Sequence, residues 1–392
     1  MTDSNNSTTR TLTATCYCKA VQYSVDLPAA KLPLPVHLCH CSICRYTHGT
    51  LCIFHAELPA GVAPKFAAPS SSPEAANLTG YKHARARSER FFCTTCGSHV
   101  GDRDLEQASS EGAASTGAEE MGWRVSISLF SEQGEDLFQM KTHCFTEGST
   151  GGSGLFDFLP RVGGREMKTF NPGPDSGWWS SSSSSGLTTK DDPPPPGQEF
   201  DSEGNEVLRA GCHCGGVSFT IPRPTVPAVT GDAFLSRYVS PAEGGGKWKA
   251  FLDVCDDCRL NAGVHVVPWV PVPRALIRPP MPPGLAPYGS TLKTYVSSEG
   301  TLRGFCDCCG ATVVFSCDSR TPTPEQQIVS VPAGLLRAPE GVLAEKWVTW
   351  RGCLANFKSG HRFDPVFAES LLEGLEKWST RQYGEPLVYS VD

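Results

Sequence analysis

Alternation of apolar and polar residues is the commonest pattern along the chain. It runs through Trp123-Arg124-Val125-Ser126-Ile127-Ser128-Leu129, through Ala20-Val21-Gln22-Tyr23 and through Val217-Ser218-Phe219. A period of two is that of a half-buried strand. One stretch instead has helical spacing: Phe367, Leu371, Leu375 and Trp378 recur at steps of three and four. Asp364 stands where an N-cap belongs, Pro365 suits the first turn and Gly384 marks the end. The pattern predicts a mainly β chain with one C-terminal helix, whose apolar stripe packs on the second half.

Breakers divide this pattern. Residues 107–121 read as a polar loop inserted before the strand at Trp123, and the proline-rich stretch 268–287 also reads as loop. Residues 264–277 are apolar but are interrupted by Pro268, Pro271, Pro273 and Arg274, too short and too broken to span a bilayer. Serines 180–185 and prolines 193–196 cannot build a core, which makes residues 161–206 a linker. Trp178 and Trp179 within it suggest docking on a domain or a short partner-binding motif. On either side, residues 11–160 and 207–392 are each long enough for a domain of ordinary size.

The whole chain has 392 residues, a net charge of -7 and 18 cysteines. The acidic balance argues against a protein that coats nucleic acid or an anionic membrane. The first ten residues are polar, without the apolar run of a secretory signal. The expected compartment is therefore the cytoplasm, with the nucleus as the alternative, where clustered cysteines stay reduced and commonly hold zinc.

The cysteines fall into an internal repeat. The first half opens on Cys16-Tyr17-Cys18 and later carries Phe92-Cys93-Thr94-Thr95-Cys96-Gly97; the second opens on Cys212-His213-Cys214 and carries Phe305-Cys306-Asp307-Cys308-Cys309-Gly310. A C-x-C and a distant C-x-x-C supply the four thiolates of a closed structural zinc: Cys16, Cys18, Cys93 and Cys96 in one half, Cys212, Cys214, Cys306 and Cys309 in the other. Buried free cysteines packing as small hydrophobes are the alternative. Between these ends lie Cys39-His40-Cys41-Ser42-Ile43-Cys44-Arg45 and, 214 residues on, Asp253-Val254-Cys255-Asp256-Asp257-Cys258-Arg259. Cys39, Cys41 and Cys44 can fill three corners of a zinc tetrahedron and leave the fourth open.

The order C-x-C, C-H-C-S-x-C-R-x-x-x-G, F-C-x-x-C-G resembles the family of glutathione-dependent formaldehyde-activating enzymes and centromere protein V. The resemblance covers residues 11–160 and 207–360. It implies two tandem β-tent domains of small antiparallel sheets, with a structural Zn2+ on the outer motifs and a catalytic Zn2+ on the central one. It also implies an activity that joins formaldehyde to the thiol of glutathione and, in reverse, acts as a carbon–sulfur lyase. The first half departs from the family pattern only at Lys19, where glycine is common. The second has Asp253 for the first central cysteine and Val254 for the histidine, which puts its central site in doubt.

Chemistry agrees with the resemblance. Zinc on three thiolates is a weak Lewis acid that suits a soft ligand, and coordination would deprotonate an incoming thiol. Held beside an aldehyde, that thiol needs only proximity to add. The expected partners are thus a small-molecule thiol, glutathione among them, and an aldehyde. Arg45 is a candidate either to hold a substrate carboxylate or to balance the thiolate charge. His143 is a catalytic candidate because the family often has a histidine before an aromatic residue there, and His40 sits between two ligands. Arg85 and Arg87 would share one face of a strand, as a solvated face or an anion-attracting one. A non-enzymatic zinc scaffold for protein or chromatin contacts is the alternative function. For the second half, a carboxylate in place of a thiolate predicts weak or absent metal at Asp253, Cys255 and Cys258.

Overall fold

The computed structural model describes residues 8–67, 77–83, 86, 88–105, 122–147, 152–172, 196–240, 246–285 and 289–390. The readings placed on Arg85, Arg87, residues 107–121, Trp178, Trp179, serines 180–185 and prolines 193–195 lie outside the described residues.

Each half begins with an antiparallel pair made by the alternating pattern. Thr9–Thr15 runs against Gln22–Pro28 with Leu12 opposite Val25 and Ala14 opposite Tyr23, all four buried. In the second half Glu206–Gly211 runs against Ser218–Pro222 with Leu208 opposite Ile221 and Ala210 opposite Phe219. The polar positions between them face outward, as the pleat requires.

Two large sheets follow. The first orders its strands Lys168–Phe170, Phe138–Cys144, Leu34–Cys39, Ile53–Glu57, Trp123–Ser126, His99–Asp104, Ser88–Cys93 and Leu78–Tyr81. The second reads Val348–Trp350, Trp248–Asp253, Val267–Pro273, Ile328–Pro332, Thr312–Cys317, Thr301–Cys306 and Leu292–Ser298. From the second strand of the first sheet onward the two orders match element for element. Among the described residues these sheets have eight and seven strands, and each contains a parallel pair, Phe138–Cys144 beside Leu34–Cys39 and Val348–Trp350 beside Trp248–Asp253. The expectation of small antiparallel sheets is thus corrected: a late strand in each half returns beside the strand that carries the first central ligand position.

Three local readings also change. The alternation at Trp123 predicts a strand to Leu129, but the strand stops at Ser126, whose Oγ accepts from Ser128 N, and Ile127–Leu129 is a 3-10 turn. Val267–Pro273, read as apolar loop, is a fully buried strand. One neighbour pairs with it over Val267 to Trp269 and the other over Trp269 to Pro273. Each proline can therefore turn its nitrogen toward the side that lacks a partner. Residues 161–170, read as the start of the linker, form a hairpin of Arg161–Val162 with Arg165–Glu166 and an edge strand on Phe138–Cys144.

The C-terminal helix Pro365–Tyr383 is capped as expected, with Asp364 accepting from Phe367 N and Gly384 in the left-handed region. Its apolar stripe lies against both halves, however. Phe158 of the first half packs edge-on against Trp378 at 4.8 Å and near Trp350 at 5.6 Å, while Gly374 is so close to the Phe158 carbonyl that a Cβ there would stand 2.0 Å from it. Among the described residues no helix is long and apolar enough to cross a membrane.

The halves pack through a repeated contact. A Cβ on Gly49 would lie 2.2 Å from the Thr312 carbonyl oxygen, and a Cβ on Gly263 would lie 2.2 Å from that of His99. Gly49 corresponds to Gly263 and His99 to Thr312, so one contact is made twice, as across a two-fold axis. Around it the buried apolar side chains of both halves form a single cluster.

Candidate functional site

The first-half centre is built where a strand hands over to a short helix. Cys39 ends Leu34–Cys39, and Cys41 is the N-cap of Ser42–His48, its Sγ accepting from Cys44 N at 3.4 Å. One turn of helix therefore brings Cys44 back beside Cys41, and the three Sγ atoms lie within 4.8 Å of one another. Cys39 and Cys41 are half-buried, and Cys44 is buried. Hydrogen bonds from the Cys39 and Cys41 thiols pull the Cys44 thiol well below the ordinary thiol range, against burial that pushes it up, and Arg90 adds to the effect.

The two four-cysteine groups are as compact as this centre, whose Cys39 and Cys41 sulfurs lie 3.4 Å apart. In the first half Cys18 Sγ lies 3.6 Å from both Cys16 and Cys93; in the second Cys214 lies 3.5 Å from Cys212 and 3.4 Å from Cys306. Four sulfurs at zinc–thiolate bond length around one ion would be separated by about 3.8 Å along each tetrahedral edge. The two groups are thus close to the size of such a cage. Lys19 departs from glycine without changing the turn: its φ is 63°, against 78° for Gly215, a left-handed conformation that costs a side chain more than it costs glycine.

One buried cation, Arg45, and two half-buried ones, Arg90 and Arg337, fit the same donor set. Arg45 is 1% exposed, its Nε donates to the His40 carbonyl at 3.3 Å and its Nη2 has no partner. Arg337 stacks on the Tyr46 ring at 3.1 Å and donates to the carbonyls of Gly211 and Cys212. Arg90 Nη2 donates to Cys44 Sγ at 3.8 Å. Among the described residues none of the three is paired with a carboxylate. A buried guanidinium without a counter-ion is costly, and thiolates on a divalent ion, which keep a net negative charge, supply one. The donor set, its spacing and these cations suit a thiophilic metal.

The candidate residues are distributed as follows. Cys16, Cys18, Cys93 and Cys96 come together, as do Cys212, Cys214, Cys306 and Cys309, as do Cys39, Cys41 and Cys44, and as do Asp253, Cys255 and Cys258; each group could hold a metal ion. Arg45 is enclosed, with its Nε turned to a main-chain carbonyl and its Nη2 without a partner. His143 is 2% exposed with both nitrogens engaged: Nε2 donates to the Leu159 carbonyl at 2.9 Å, which leaves Nδ1 to accept from His40 Nε2 at 2.9 Å. That pair ties the strand Phe138–Cys144 to the Cys39–Cys41 turn.

Sequence reasoning missed the role of Arg90 and of its counterpart Arg303, which donates to Cys258 Sγ at the same 3.8 Å. The signal was present: an arginine stands three residues before the C-x-x-C in both halves. It also missed a buried cluster behind the first centre, where His48 and His99 stack at 3.6 Å and His55 Nδ1 lies 3.0 Å from Asp102. Strand registers place Trp269, Thr312 and Phe315 of the second half at the positions of His55, His99 and Asp102, and the matching helices place Ala262 at that of His48. The polar cluster thus accompanies only the half that has three central cysteines.

Residues 11–131 match a family model described as glutathione-dependent formaldehyde-activating enzyme. No curated protein and no solved structure matches the chain.

Proposed function

From that match and the three-thiol centre inside it, we propose that the first half is a zinc-dependent carbon–sulfur lyase that makes and breaks adducts of a small thiol with an aldehyde. S-hydroxymethylglutathione, formed from glutathione and formaldehyde, is the adduct this reading favours. The observation that carries it is the convergence of Cys39, Cys41 and Cys44, two of them half-buried rather than sealed, within the matched residues. Zinc held there would take a thiol in its fourth position and lower that thiol's pKa.

The chain's own residues hold and tune this centre. Arg90 and Arg45 offset the thiolate charge, and the His40–His143 pair fixes the turn between Cys39 and Cys41. Cys16, Cys18, Cys93 and Cys96, and likewise Cys212, Cys214, Cys306 and Cys309, would hold structural zinc that contributes to folding directly. The same reading takes residues 207–392 as a second copy of the domain, supported by its matching strand order.

The test uses the full-length protein, with loss of formaldehyde in the presence of glutathione as the measurement. Cys41→Ala should lower the rate by at least about 100-fold, as expected when a group that binds the reacting atoms is lost, and release one zinc per chain while the circular dichroism spectrum is kept. Cys96→Ala should instead lower the melting temperature. A Cys41→Ala protein with native activity would end the lyase reading, and a native protein without activity would favour the scaffold.

A further inference from the structure

The second half's central site is expected from sequence alone to be a decayed copy. Its surroundings indicate a rebuilt one. Strand register places Asp253 where the first half has Cys39, and the neighbouring parallel strand places Ala355 at Cys144 and hence Asn356 at Phe145. Asp253 Oδ1 accepts from Cys255 N at 2.9 Å and from Asn356 Nδ2 at 3.0 Å. Both bonds fall on the same oxygen, so Oδ2 has no hydrogen-bond partner among the described residues. Asn356 has a φ of 56°, but Phe145 adopts 60° at the same place, so the backbone does not demand an amide there. The amide is explained by the carboxylate it holds: Cys39 and Phe145 in one half have been exchanged for Asp253 and Asn356 in the other.

A second paired exchange lies beside the first. His40 and His143, bonded to each other, are replaced by Val254 and Leu354, both buried and apolar. No orphaned polar group is left behind at either position. The helix cap, the closing glycine and the arginine on the last thiol are kept. Cys255 caps its helix and accepts from Cys258 N at 3.3 Å, Gly263 closes that helix in the left-handed region, and Arg303 donates to Cys258 Sγ. Asp253 is 9% exposed, and its carboxylate oxygen lies within 4.8 Å of the Cys255 and Cys258 sulfurs.

We propose that Asp253, Cys255 and Cys258 form a second open metal centre, of one carboxylate and two thiolates, oriented by Asn356. A metal-bound carboxylate normally has its other hydrogen-bonding capacity occupied by an orienting donor, and Asn356 is placed to be that donor. Replacing one thiolate by an oxygen makes the ion harder, so the open corner of this centre suits an oxygen ligand, water or an aldehyde oxygen, where the first suits a thiol. The inference does not depend on the lyase reading, because it is read by metal content alone.

The experiment measures zinc per chain by elemental analysis on full-length protein after exhaustive dialysis. Four equivalents are expected: two in the closed groups and one in each open centre. Asp253→Ala should remove one equivalent, Cys44→Ser should remove a different one, and the double variant should retain two. Asp253→Cys should restore four. Should Asp253→Ala fail to fold, Asn356→Leu decides, since it keeps all ligands; it should weaken one zinc by about 10- to 100-fold in competition with a chelator. A native chain from which Asp253→Ala removes no zinc, or an Asn356→Leu chain that holds its zinc as tightly as the native one, would overturn the proposal.

Discussion

Residues 1–165 expressed alone should fail to give a folded monomer, and residues 200–392 should fail likewise. The reason is that the two halves bury each other. His99 Nε2 donates to the Gly310 carbonyl, Ser126 Oγ to the Gly263 carbonyl, and Ser128 Oγ pairs with His265 Nδ1 at 2.7 Å. Phe54 stacks on His265 at 4.9 Å and meets Phe367 edge-on, Phe92 faces Phe305, and Phe158 lies between Trp350 and Trp378. Exposing a fully buried aromatic or aliphatic side chain costs about 1.5–3 kcal/mol. Losing cover from Phe54, Phe92, Phe158, Trp350 and Trp378 alone approaches the whole stability of an ordinary domain, about 5–15 kcal/mol. Size-exclusion chromatography and thermal unfolding give the measurement. Either fragment melting cooperatively as a monomer would show that the shared core is dispensable. Activity should therefore be assigned to one half by in-chain substitution, as with Cys44→Ser, and not by cutting the chain.

This interdependence explains what could and could not be read from the sequence. The four cysteine-rich groups were legible because their parts are local: C-x-C, C-x-x-C and the central motif are short, and their recurrence at matched distances brought all four groups into view. The C-terminal helix was legible because its cap, first-turn proline and end glycine are local too. Partners across the molecule were not. Nothing in the neighbourhood of Gly374 or Trp378 says that Phe158 will cover them, and Gly49 does not announce the Thr312 carbonyl. Buried polar residues were the hardest to see. His55, Asp102 and Arg124 look like ordinary alternating strand positions until the sheet brings Asp102 to His55 and Arg124 together. Asn356 has no meaning in sequence, since its partner Asp253 lies 103 residues away.

Acidification should unfold the protein between pH 6.5 and 4, and in part through groups that bind no metal. Burial pushes the His99 imidazole down to about 3 and that of His143 down to about 4, and holds His40 and His48 well below their ordinary value. All four are nearly inaccessible to solvent. Above pH 6.5 these side chains are neutral in both folded and unfolded chains and add nothing to the pH dependence. As pH falls below 6.5 the unfolded chain takes up protons that the native one refuses, so stability is lost until pH reaches the depressed native values. Each such histidine costs about 1.4 kcal/mol per pH unit in that window, or about 2 kcal/mol at pH 5. Protonation of the clustered thiolates, with release of any bound metal, acts in the same direction. The two causes separate in a variant. His99→Thr places the residue that the second half carries at Thr312 and touches no cysteine in the four groups. Urea unfolding at pH 7 and pH 5 should show this variant losing about 2 kcal/mol less than the native protein on acidification. Equal losses in both would mean that His99 is protonated in the folded state and that the acid response comes from the cysteine groups alone.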